Sequence, residues 1–264
     1  MNSSLQDGNN AQNFECDDRI HIFDAYSDDY NQWFSTFLAH TDQKEQAMKW
    51  LRDTLGKISD KRYFIDVGAG NGLLTRQLSD YFMHIEAVEP NPYLYQLLTQ
   101  VLPDCTSHLC AIMDATPDYR ADFILCSHVL YYIPLDQWLK HIKKMVEWLS
   151  SDGTLVIALQ AQDTGCMQLY RHFTGHSFNL MQLVEPFNTA EDLEIAVERV
   201  PASIITNDLA TTYRITEFVL NLLPLENPPL KADVYRYIEN FFKQKSSKFV
   251  MSCDQLFLKI HRNS

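Results

Sequence analysis

The sequence predicts an α/β protein whose sheet is mostly parallel and carries helices on both faces. Three observations lead there. Short apolar runs alternate with amphipathic stripes from residue 63 to residue 159, a glycine-rich turn joins the first run to the first stripe, and two closing apolar runs let the last strand enter antiparallel. The chain has 264 residues, 46% hydrophobic and 21% charged, a composition that excludes disordered, collagen-like and disulfide-scaffold classes.

The elements follow in order. Residues 1–19 are polar and aperiodic and read as a loose tail; residues 20–264 read as a single domain. From Tyr26 to Ile58, apolar residues recur at helical spacing, with a break at His40-Thr41-Asp42, and residues 20–60 are expected to form a helical lid because Tyr30 and Phe34 share one helical face. Residues 61–160 then alternate: strand Tyr63–Val67, a helix with Leu74 and Leu78, strand Ile85–Val88, a helix through Leu94 and Val101, and a strand near His108–Ile112. Strand Asp122–Cys126, a long helix from Leu135 to Leu149 and strand Thr154–Leu159 complete the series. This rhythm implies right-handed crossovers and a parallel sheet. In residues 161–264 the spacing predicts helices near 164–173, 189–198, 214–222 and 231–244, a strand near 203–206, and a final hairpin of Lys248–Ser252 with Gln255–Ile260.

Charge narrows the partners. Twenty-two basic against 34 acidic residues leave a net charge of −12, which repels nucleic-acid phosphates and anionic membrane surfaces and favours a small molecule, a cation above all. No run reaches the 18 or so apolar residues of a membrane helix, and the N-terminus lacks the pattern of a signal peptide, so a cytoplasmic location is expected. The six cysteines form no Cys-x-x-Cys pair and the histidines have no ligand spacing; reduced thiols and no metal are expected.

The segment that carries chemistry is Asp66-Val67-Gly68-Ala69-Gly70-Asn71-Gly72. Glycines let the backbone turn sharply and approach a ligand, and the next helix offers free N–H groups. Alone, such a turn suits a plain strand-to-helix junction or a dinucleotide site as well. Glu89, ending the second strand, stands where a carboxylate accepts from both hydroxyls of a ribose. Leu73 in place of a third fingerprint glycine, and the acidic Asp66, argue against a pyrophosphate.

On these residues the chain resembles the class I S-adenosylmethionine-dependent methyltransferases, a likeness spanning about residues 60–160. It implies a Rossmann-like sheet of seven strands, the last antiparallel, and S-adenosylmethionine as cofactor. Asp66, Gly68 and Gly70 would lie under the methionine part, Glu89 would hold the ribose, Ala111 and Ile112 would line the adenine, and Ser127 would stand near the methyl position. The runs Tyr30-x-x-x-Phe34-x-x-Phe37-Leu38-x-His40 and Val129-Leu130-Tyr131-Tyr132, with the aromatic Gly165–Phe178 stretch, resemble the histamine N-methyltransferase-like members.

That closer likeness implies a substrate pocket of Tyr30, Phe34, Gln43, His128, Tyr132, Tyr170 and Phe178. Gln43 falls where the family has the glutamate that grips the imidazole, His128 where it has a glutamine, and Cys166 where it has a tryptophan, so the implied acceptor is an amine or heterocycle other than histamine. His128 is the candidate base, although a strand-end histidine is as often structural. The aromatic residues also read as ordinary core. O-methylation of a phenol or carboxylate, and a silent cofactor-binding module, fit the same pattern.

Overall fold

The computed structural model describes residues 18–23, 28–223, 225–244 and 247–263. The chain runs through α1 (Asp28–His40), α2 (Gln43–Leu55), β1 (Tyr63–Val67), α3 (Leu73–Ser79), β2 (His84–Val88), α4 (Pro92–Val101), β3 (Thr106–His108) and β4 (Ala121–Ser127). After β4 come α5 (Trp138–Glu147), β5 (Leu149–Gln160), α6 (Gly165–Thr174), α7 (Val184–Asn188) and β6 (Leu193–Val200). The last elements are β7 (Ser203–Thr206), α8 (Leu209–Leu220), α9 (Lys231–Phe241), β8 (Phe249–Ser252) and β9 (Gln255–Arg262).

Seven strands form one sheet in the order β3-β2-β1-β4-β5-β9-β6. The pairs from β3 through β5 are parallel, and β9 alone runs antiparallel, between β5 and β6. Period-two alternation divides the side chains between two layers. Ile65, Val67, Ile124, Cys126, Leu155 and Ile157 face α5, α6, α8 and α9, while Phe64, Phe123, Leu125, Val156 and Phe257 face α2 and α3. The expected Rossmann-like sheet with helices on both faces is therefore present. Among the described residues no helix is long and apolar enough to cross a membrane.

Four local readings change. Residues 193–200 form strand β6 and not the helix expected over 189–198: Leu193, Ile195 and Val197 alternate, and Ile195 and Val197 pair across from Ile260 and Leu258 of β9, a cross-strand match that outweighs the helix-forming Ala and Glu between them. The final hairpin does not form either. β8 pairs with β7 in a separate two-stranded sheet, and the Cys253-Asp254 corner hands the chain over to the main sheet. Beside that corner runs Pro201-Ala202, where a proline breaks the ladder; Cys253 N–H donates to the Ala202 carbonyl (2.9 Å) and Ala202 N–H to the Asp254 carboxylate (3.1 Å). Strand β3 ends at His108, earlier than read, because Ala111–Asp114 turn to begin the next connection. In the N-terminal segment, α2 buries Met48, Leu51 and Leu55 against the sheet and is a layer of the core, while α1 packs Phe37 into the cluster on the other face. Of the polar tail, residues 1–17 lie outside the described residues; Lys231 N–H donates to the Asp18 carbonyl (2.7 Å) and Ile20 N–H to the Pro229 carbonyl (3.0 Å).

Candidate active site

The parallel strands end together at one edge of the sheet, and the sequence there builds a cradle. Gly68, Gly70 and Gly72 all take positive φ (70°, 59° and 76°). Two of them are glycine because of packing: a Cβ on Gly68 would lie 2.3 Å from Val129 Cγ2, and one on Gly72 would lie 2.7 Å from Leu98 Cδ1. Gly70 differs, since a Cβ there would meet nothing within 4 Å and faces open space. The loop is tied to the end of β2, with Gly68 N–H donating to the Val88 carbonyl (2.7 Å).

Glu89 follows β2 and is buried. Its Oε2 accepts from Gly70 N–H (2.8 Å) and its Oε1 from Asn91 N–H (2.9 Å), which fixes the carboxylate plane and leaves a further lone pair on each oxygen. Burial raises its pKa, and these two backbone donors pull it back. Asp66, at the end of β1, is buried and accepts from Thr75 Oγ1 at 2.6 Å. Burial pushes its carboxyl up to about 7 against the opposing Thr75 hydroxyl, and the negative Glu89 adds to the rise. The folded value exceeds the unfolded one, so the stability this group contributes is complete below about pH 4 and is lost as pH rises through about 7. Urea melts of the wild type and Asp66→Asn from pH 5 to 7.5 are expected to converge or cross as pH rises, the wild type losing the more stability; a difference constant with pH would show the buried carboxyl already ionised.

A second group of polar residues stands where β4 ends. His128 has φ 60°, uncommon for a residue with a side chain, and is held there by its N–H donating to the Ala158 carbonyl (2.8 Å). Its Nε2 lies 2.9 Å from Gln255 Oε1, Gln255 Nε2 donates to the Gln43 backbone carbonyl (3.1 Å), and Gln43 Nε2 donates to the Cys253 carbonyl (2.9 Å). The turn beyond His128 is pinned by Trp138 Nε1, which donates to the Leu130 and Ile133 carbonyls (both 2.9 Å). Tyr131 stacks on the His128 ring with centroids 5.9 Å apart, and its hydroxyl accepts from Gln160 N–H at 2.7 Å. Burial lowers the His128 pKa, the Gln255 hydrogen bond opposes this, and the positive Lys44 lowers it further, so the ring is neutral near pH 7.

The model of a family described as a methyltransferase domain matches residues 38–201, more than half of the chain. The chain belongs to this methyltransferase family. An uncharacterized methyltransferase of Exiguobacterium sibiricum is 22% identical over 177 residues, covering 64% of this chain and 79% of the relative. The fold is similar to the N-methyltransferase NodS from Bradyrhizobium japonicum in complex with S-adenosyl-L-homocysteine (TM-score 0.53, 16% identity, 90% of this chain and 100% of that one). It is similar also to a putative methyltransferase from Bacillus halodurans (TM-score 0.59, 9% identity, 80% and 96%). The chain is thus a class I S-adenosylmethionine-dependent methyltransferase, and its site meets the cofactor's demands: an open space above Gly70 and an anchored Glu89 carboxylate with lone pairs free for hydroxyls.

The methyltransferase fold brings some of the expected residues together and separates others. Asp66, Gly68, Gly70, Glu89 and Ser127 gather at the strand ends. Ala111 is exposed in the turn after β3, whereas Ile112 turns inward and packs in the main core. Gln43 and His128 meet through Gln255, and Phe34 stands near them, its ring centroid 5.3 Å from the Lys44 ammonium. Tyr132 is 62% exposed, and the side chain of Tyr30 lies outside the described residues. Tyr170 and Phe178 are buried with Trp138 in the core; Phe178 packs edge-on against Tyr131 (5.0 Å), whose other ring neighbour is His128. The sequence names Tyr131 only within the Val129–Tyr132 run and does not single out Gln160 or Gln255. The available signal was a glutamine at the end of each of two apolar runs, where a strand reaches the edge of its sheet.

Proposed function

We propose that this methyltransferase moves the methyl group of S-adenosylmethionine to a nitrogen of a small amine or heterocycle other than histamine, within a site resembling that of the histamine N-methyltransferase-like members. The observation that carries this reading is the His128–Gln255–Gln43 chain: the positions that the family likeness assigns to the acceptor are joined in one buried corner, and they present amides and a neutral imidazole where the likeness implied a carboxylate. A fixed ammonium ion has no carboxylate partner in this chain of contacts, while a ring N–H or a neutral amine has acceptors. In the same reading Asp66, Gly68 and Gly70 lie along the methionine part, Glu89 holds the ribose hydroxyls, Ala111 and the Ile112 backbone border the adenine, and α1 covers the acceptor side. Once bound, the cofactor supplies a sulfonium methyl that needs no further activation. The chain's own part is to hold the acceptor in line, exclude water and receive a proton.

Lys44 favours a second reading. It is the positive charge felt by His128, and a phenolate or carboxylate acceptor would be drawn to it. Release of S-adenosylhomocysteine against a panel of histamine, other amines, heterocycles, phenols and carboxylates decides. Turnover confined to nitrogen acceptors other than histamine is expected; turnover confined to phenols or acids makes the protein an O-methyltransferase, and efficient histamine turnover removes the meaning given to Gln43 and His128.

The cofactor side has its own check. Glu89→Ala removes charge-assisted hydrogen bonds worth about 1.5–3 kcal/mol, so calorimetry is expected to show S-adenosylhomocysteine binding roughly tenfold weaker or worse. Unchanged affinity would place the ribose elsewhere.

A further inference from the structure

The chain of hydrogen bonds behind His128 has a direction. A backbone carbonyl only accepts, so the Gln43 carbonyl must receive from the Gln255 amide nitrogen at 3.1 Å; turning the Gln255 amide over would set two oxygens face to face. With its nitrogen committed there, Gln255 offers its oxygen to His128 Nε2 at 2.9 Å, and an amide oxygen can only accept. His128 Nε2 therefore carries the proton. In a neutral imidazole the other nitrogen, Nδ1, then holds a free lone pair, and among the described residues no donor reaches it. Gln255 is only 1% exposed, so water does not compete for its amide.

A second polar group at this corner lacks a partner. Gln160 and Gln255 are directly opposite in the antiparallel β5–β9 ladder and so project to the same side of the sheet. The Oε1 atom of Gln160 is buried with no hydrogen-bond partner among the described residues, an arrangement that costs free energy unless something else fills it. His128 Nδ1 is an acceptor, and the Gln160 amide, oriented by no hydrogen bond among the described residues, can turn either its oxygen or its nitrogen to the unfilled position.

We propose that Gln255 is a positioning residue that locks His128 in the Nε2–H tautomer, so that Nδ1 receives the proton of the methyl acceptor, which must therefore present an N–H or O–H donor at or beside the methylated atom. The inference rests on the reading of His128 as an acceptor-side residue. In the step it describes, the lone pair of the acceptor atom forms the new bond to the methyl carbon, the S–CH₃ bond breaks with its electron pair staying on sulfur, and the proton given up by the acceptor atom passes to Nδ1. The resulting imidazolium keeps its Nε2–H bond to Gln255, and the half-buried ring returns the proton to solvent. The Gln160 amide takes a second polar group of the same molecule, its oxygen accepting or its nitrogen donating.

The test is a long-range proton–nitrogen correlation spectrum of the full chain labelled with ¹⁵N, the His128 signals being assigned by their absence in His128→Gln. The neutral ring is expected in a single Nε2–H form; an Nδ1–H form overturns the proposal. Gln255→Met keeps the size of the side chain and removes its amide, and calorimetry with S-adenosylhomocysteine confirms that the variant is folded. In it the spectrum is expected to show both tautomers exchanging, and kcat with a responsive acceptor to fall about tenfold or more while KM for the cofactor holds. A Gln255→Met protein that keeps a pure Nε2–H ring and full kcat overturns the positioning role. Normal turnover by His128→Ala would instead remove the reading beneath the proposal, an outcome distinct from finding the other tautomer.

Discussion

His128→Ala is expected to lower kcat by about 10²- to 10⁴-fold, the range contributed by a positioned acid or base, while S-adenosylhomocysteine affinity stays within about twofold of the wild type. The split follows from placement: Gly70 and Glu89, the residues proposed to hold the cofactor, are bonded to each other and not to His128. The pH dependence adds a sign. Burial and Lys44 hold the imidazole below its ordinary range, and the neutral ring is the form that takes a proton, so kcat should rise with pH through a midpoint below the usual histidine value and then level off. Single-turnover rates between pH 4.5 and 8 measure this, and a rate flat through that range or an alanine variant as fast as the wild type would make His128 a structural residue.

The second large effect distinguishes two glycines with a single residue between them. Gly68→Ala places a Cβ 2.3 Å from Val129 Cγ2 at a φ of 70°, and left-handed strain of about 1–2 kcal/mol together with overpacking of about 1–3 kcal/mol should lower Tm by roughly 10 °C. Gly70→Ala carries strain of the same kind at φ 59° but no clash, because the added methyl enters open space. It should melt within a few degrees of the wild type and bind S-adenosylhomocysteine at least about tenfold more weakly, since its methyl group occupies the space assigned to the cofactor. Scanning calorimetry and titration calorimetry on the two variants make the comparison. Wild-type affinity in Gly70→Ala would show that the space above this glycine is not the cofactor's, and a Gly68→Ala protein of wild-type Tm would mean that Val129 yields without cost.

Much of this was legible in the chain itself. The Asp66–Gly72 turn and Glu89 are separated by one helix and one strand, so their proximity follows from the βαβ unit that the apolar rhythm already implies. Residues 193–200 read as a helix, and the strand at 249–252, correct as a strand, reads with the wrong partner, because local patterns fit two arrangements: helix formers and alternating apolar residues coexist in β6, and a two-residue corner reads as a hairpin until its flanking strands find other partners. The family likeness puts Tyr170 and Phe178 in a pocket and the structure buries both, since an aromatic side chain serves a core or a pocket with the same composition.

By itself the sequence determined the α/β class and the methyltransferase family, and it put forward the residues proposed to hold the cofactor, since those readings depend on local chain geometry and on spacings shorter than a single crossover. The tertiary structure alone decided how the polar corner around His128 is put together. Gln43, His128, Gln160 and Gln255 come from the start of α2, the end of β4, the end of β5 and the start of β9, and no periodicity marks them. They meet because β9 inserts antiparallel between β5 and β6, setting Gln255 opposite Gln160 and within reach of the Gln43 carbonyl. Strand insertion of that kind is decided by burial summed over the whole sheet, and a hydrogen bond between residues 127 positions apart leaves no trace in the chain near either one.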